Sequence, residues 1–89
     1  MAMAFDKFQK LDSFLKLEPG WDSYGAPAIS RKALFAAQNI MFHLLTNAPS
    51  FIGPTSHGGV HLEWNHGGYS IEIEIGPNGK ISEACFFDD

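Results

Sequence analysis

Four histidines, His43, His57, His61 and His66, and three glutamates, Glu63, Glu72 and Glu74, are the side chains of this sequence best suited by type to chemistry. Neutral imidazole is a common ligand of transition metals, and carboxylates share such sites. His57 and His61 fall near an expected hairpin, and His61 and Glu63, two apart, point to one face of a strand. A metal-dependent enzyme using His57, His61 and Glu63 is therefore one expectation. Against it, no spacing matches a zinc signature such as paired CxxC or HExxH, and His66 sits in the next turn. Exposed strand and turn histidines are the plainer account, and His43, in a largely apolar helix, reads as a packed or boundary residue.

Two carboxylates about 5 to 9 Å apart can hydrolyse glycosides, but one must be kept protonated, and a flat solvated sheet face does not do that. Alternating Glu63, Glu72 and Glu74 more simply keep that face soluble. Cys85, in "ACFFDD", reads as an inert buried thiol, and the serines lack His and Asp partners. The two "HGG" stretches, 57–59 and 66–68, open no helix, so they are hairpin turns rather than phosphate loops. No catalytic constellation emerges. The expectation is a protein that is not an enzyme and uses no cofactor.

The elements that must position these residues follow from periodicity. Phe5, Phe8, Leu11, Phe14, Leu15 and Leu17 recur at spacings of three and four, which predicts an amphipathic helix over about 5–17. Ser30 is a good N-cap for a second helix over about 31–46, where Leu34, Phe35, Ala37, Ile40, Met41, Phe42, Leu44 and Leu45 cover more than half the circumference. That helix should be central, or should keep a face for another subunit. Beyond it, glycines divide the chain into pieces of period two, predicting strands over about 51–55, 59–65, 69–75 and 81–87. Pro54 suits an edge strand.

A two-residue turn at His66-Gly67 would set Trp64 opposite Tyr69, Leu62 opposite Ile71 and Val60 opposite Ile73, with His61 facing Glu72 on the other side. For the last hairpin, Asn78-Gly79 as a two-residue loop opposes Glu74 to Glu83, a like-charge pair. A type I turn with Pro77 second and Gly79 left-handed opposes Ile75 to Ile81 but turns Glu83 toward the core. The second is favoured. The expected fold is one α+β domain spanning 1–89, with two N-terminal helices packed on one face of a three- to four-stranded antiparallel β-meander.

Composition narrows the function classes. The chain has 10 acidic and 6 basic residues for a net charge of −4, and the bases form no cluster, which disfavours direct nucleic-acid binding. One cysteine excludes an internal disulfide framework, and no stretch approaches the roughly 20 apolar residues that span a bilayer. The opening residues carry no secretory pattern, so a cytoplasmic protein is expected.

The segment "GWDSYGAP", 20–27, joins the two helices and is longer than most such links. Trp21 and Tyr24 either cover the helix ends and the sheet edge near Trp64, with Asp22 or Ser23 tying down turn N–H groups, or stay exposed as partner anchors. "GWDSYGAPAIS", with "GGVHLEW" and "IEIEIGPNGK", resembles a family of small bacterial and phage-associated proteins without an established activity, over roughly residues 19–80. The resemblance implies that loop, hairpin and sheet form one unit, and it assigns no catalytic residues.

The expected function is that of a small non-catalytic binding protein, a stoichiometric inhibitor or antitoxin-like partner of a larger bacterial protein. Its candidate contacts are Trp21, Asp22 and Tyr24, then His61, Glu63 and Glu72. A nucleotide-sequestering or other small-molecule-binding oligomer is the alternative from a second class, with the metal enzyme third. A membrane partner is not expected, and association with a second copy of the chain is compatible with all three.

Overall fold

The computed structural model describes residues 2–43 and 49–88. Its elements are α1 (Ala2–Ser13), a 3-10 turn (Phe14–Lys16), α2 (Arg31–His43), β1 (Phe51–Pro54), β2 (Val60–His66), β3 (Tyr69–Ile75) and β4 (Ile81–Asp88). The strands form one antiparallel sheet in the order β1-β2-β3-β4, so the fold is α+β with four strands. The expected end of α2 at residues 44–46, with Leu44 and Leu45, lies outside the described residues, as does the side chain of Phe5.

α1 starts earlier than its apolar spacing suggested and then tightens. The 3-10 turn winds three residues per turn instead of 3.6, which rotates Leu15 off the apolar stripe and leaves it 53% exposed, while Phe14 is buried. Leu17 then goes extended and its N–H donates to the Phe14 carbonyl, closing the helix before Pro19. α2 begins at the expected cap: the Ser30 hydroxyl accepts the Ala33 N–H at 3.0 Å. Ala33, Leu34, Ala37 and Met41 form its buried stripe. Phe35 and Phe42, seven apart and so on one face, remain exposed.

One buried cluster draws Leu11 and Phe14, Ala33, Leu34, Ala37 and Met41 together with Ile52, Val60, Leu62, Trp64 and Ile75. The strand residues of this cluster share one face of the sheet because side chains alternate along each strand. Phe51, His61, Glu63, Glu72, Glu74, Glu83 and Cys85 occupy the other.

Both hairpins depart from expectation. The turn between β2 and β3 is Gly67-Gly68, not His66-Gly67, so Trp64 opposes Ile71, Leu62 opposes Ile73, Val60 opposes Ile75 and His61 opposes Glu74. Gly68 has φ +95°, a conformation open to glycine at little cost, and placing it second in the turn shifts every pair by two residues. A shift of two leaves each side chain on its face, so the alternation survived although the partners changed. In the last hairpin Ile75 opposes Ile81, as favoured, with Gly79 at φ +84°. A β-bulge follows, so Glu74 nevertheless opposes Glu83 and Glu83 stays on the polar face instead of turning to the core. The extra residue, Ser82, donates its hydroxyl to the Glu74 carbonyl at 3.2 Å.

Candidate functional site

Three places on the molecule bear on function. The first is the polar face of β2 and β3. His61 Nε2 lies 3.4 Å from Glu63 Oε1 and 3.8 Å from Glu72 Oε1. Glu72 is the backbone partner of Glu63, so it meets His61 diagonally rather than head-on. The second oxygen of Glu63 accepts the Asn65 side-chain amide at 2.8 Å. That bond first, and the His61 contact second, hold the Glu63 carboxyl below the ordinary glutamate range. A carboxyl held ionised in this way is unsuited to donating a proton as a general acid. The Phe51 ring flanks His61, with centroids 6.0 Å apart, and Lys10 Nζ of α1 lies over the Phe51 ring, 5.4 Å from its centroid.

His57 does not join this group. It is exposed in the β1–β2 turn, and the third expected metal ligand beside His61 and Glu63 is replaced by Glu72. His43 is exposed at the end of α2, its Nδ1 2.7 Å from the Asn39 carbonyl oxygen, and the side chain of His66 lies outside those described. Cys85 is half-buried on the polar face, not inside the core, because the bulge sets its strand phase. Burial first, then the Glu83 and Glu72 carboxylates, push its thiol above the ordinary range, which keeps it a poor nucleophile.

The second place is the loop 20–27. The Gly20 N–H donates to the Ala26 carbonyl and closes the neck. Asp22 Oδ1 accepts the N–H groups of Tyr24 at 2.9 Å and Ala26 at 3.1 Å, as expected of an aspartate organising a turn. Trp21 packs against the core and its Nε1–H donates to the Pro27 carbonyl at 2.9 Å. Tyr24 stands at the tip, 91% exposed, beside Ser23 at φ +68°. Trp21 thus anchors the loop, and Tyr24 faces solvent.

No protein-family model, curated protein or solved structure matches this chain.

The third place was not singled out by sequence reasoning. β1 and β4 are the two edges of the sheet, and they are unlike. β1 has four residues and ends in Pro54, a blunted edge, whereas β4 has eight residues and no proline or lysine. Ile81, Phe86 and Phe87 of β4 are 55%, 65% and 48% exposed. Ile81, Ala84 and Phe86 project from the same face as the core, yet none is buried. Phe86 stacks only on Tyr69 of β3 among the ring pairs described, at 6.0 Å. The signal was present in "ACFFDD", where two adjacent phenylalanines must point to opposite faces. Among the described residues no helix is long and apolar enough to cross a membrane.

Proposed function

We propose that this chain is a non-catalytic binding protein that acts in the cytoplasm as a stoichiometric inhibitor or antitoxin-like partner of a larger bacterial protein. It does so by accepting an extended segment of that partner along β4. The observation that carries this is the contrast between the two sheet edges: one short and closed by proline, the other eight residues long, without proline or lysine, and with Ile81, Phe86 and Phe87 exposed. Protein edges of the second kind are ready templates for an added strand. Both helices are taken to pack on the apolar face toward β1, β2 and β3, a placement supported by the shared core, so that β4 is left uncovered for the partner.

The chemistry of the occupant follows from the two faces of β4. On the core side the added strand meets Ile81, Ala84 and Phe86, which calls for apolar residues at alternate positions. On the polar side it meets Glu83, backed by Glu74 and Glu72, then Cys85 and the exposed Phe87, which calls for lysine or arginine opposite Glu83 and an apolar residue opposite Phe87. A second copy of this chain fits less well, because β4 contains Glu83 and Asp88 and no base.

The test is recovery of the partner from host extract by the wild-type chain, by Phe86→Lys and by Tyr24→Ala. Stoichiometric recovery by wild type and Tyr24→Ala, lost with Phe86→Lys, is the expected result. Equal recovery by Phe86→Lys, or loss only with Tyr24→Ala, would move the contact to the loop.

A further inference from the structure

We propose that His61, Glu63 and Glu72 form a binding site for a divalent first-row transition cation, with zinc as the type. The donor atoms, one imidazole nitrogen and two carboxylate oxygens, all lie within 4.8 Å of one another. A tetrahedral zinc with bonds of about 2.1 Å sets its ligands about 3.4 Å apart. The His61 to Glu63 separation is 3.4 Å and the His61 to Glu72 separation 3.8 Å, close to that spacing, and the two carboxylate oxygens, within 4.8 Å of each other, draw together on the ion by side-chain rotation.

Three further observations bear on a cation. Glu63 directly opposes Glu72 and Glu74 directly opposes Glu83, two neighbouring like-charge pairs of a kind that destabilises a sheet. The ion pairs found among the described residues are the two that His61 makes, so no lysine or arginine offsets these carboxylates there. Asn65 occupies Glu63 Oε2 and leaves Oε1 turned to His61, the kind of outer support that orients a ligating carboxylate. Beside the set lies a hollow of about 60 Å³ lined by His61, Glu72, Glu74, Glu83 and Cys85, with room for water on the open coordination positions. The mixed nitrogen and oxygen donor set favours zinc, cobalt or nickel over calcium or magnesium, which take oxygen ligands alone. The three ligands lie on the central strands β2 and β3, and the hollow beside them extends to Glu83 and Cys85 of β4.

The experiment is titration of the full-length, metal-free chain with Co²⁺, read by its visible absorption, followed by displacement with Zn²⁺. One equivalent should bind, and His61→Ala and Glu72→Gln should each weaken binding at least tenfold, while His57→Ala and His43→Ala stay within twofold of wild type. Glu72→Gln is nearly isosteric and removes a like-charge opposition, so its metal-free melting temperature should match or exceed that of wild type. It therefore carries the test even if His61→Ala folds poorly. Absence of stoichiometric binding overturns the proposal, as does a loss in His57→Ala equal to that in Glu72→Gln.

Discussion

The Ser30 hydroxyl donates to the carbonyl oxygen of Pro77 at 2.6 Å, joining residues 47 apart in the chain. The Ser30 hydroxyl oxygen also accepts the Ala33 N–H, and the Ser30 backbone N–H donates to the Gly58 carbonyl. One small residue thus caps α2 and ties its start to the β1–β2 and β3–β4 turns. Ser30→Ala removes both side-chain bonds and should cost about 2 kcal/mol of stability, the upper range for a lost cap. Denaturant midpoints at unchanged m-value check this, with Ser30→Thr recovering most of the loss.

Trp21 and Tyr24 should respond in opposite ways to truncation. Trp21→Ala strips a half-buried ring and its bond to Pro27 and should cost about 2 to 3 kcal/mol, below the range for a fully buried tryptophan. Tyr24→Ala should change stability by no more than about 0.5 kcal/mol, as at most exposed positions. Thermal melts of the two single variants separate anchor from tip.

Asp22 should contribute to the acid limb of unfolding. The Tyr24 N–H first, then the Ala26 N–H, hold its carboxyl below the ordinary aspartate value of 3.8. A group whose folded-state pKa is depressed contributes stability that is fully present above its unfolded value and is lost as pH falls through the folded one. Wild type should therefore lose stability from about pH 5 downward more steeply than Asp22→Asn, whose amide oxygen does not titrate. Urea midpoints between about pH 5 and pH 2 give the comparison.

The glycines of the sheet turns provide a test of register. A Cβ on Gly59 would lie 1.9 Å from the Ile75 carbonyl oxygen, a backbone atom that cannot step aside. Gly59→Ala should cost about 3 kcal/mol, as severe overpacking does. Gly67→Ala meets nothing within 4 Å and should be nearly neutral, whereas Gly68→Ala, at φ +95°, should cost about 1 kcal/mol. The opposite order at Gly67 and Gly68 would indicate the His66-Gly67 turn and return the strands to the register expected from sequence.

Much of this architecture was legible because it rests on local rules. Period-three-to-four spacing located both helices, alternation located the strands, Ser30 announced its cap, and Asp22 its turn. What failed were relations that alternation does not encode. A two-residue slip of β3 against β2 keeps Leu62, Trp64 and Ile73 on the core side, so the face pattern fits either turn equally. The bulge at Ser82 realises the turn of one expected hairpin and the Glu74–Glu83 pairing of the other, which no single register could do. The cluster of His61 with Glu63 and Glu72 was half visible: the shared face was readable, the diagonal contact was not. The exposure of β4 depends on what the rest of the fold sets against that end of the sheet. That is a matter of tertiary packing rather than of any residue in β4.

Amide hydrogen exchange across Ile81–Asp88, in the isolated chain and in the complex recovered from host extract, tests the β4 docking most directly. The outward-facing amides of β4 should exchange freely in the isolated chain and slow at least tenfold in the complex, with residues 20–27 unchanged. Protection confined to residues 20–27, with β4 exchanging at the same rate in both states, would contradict it.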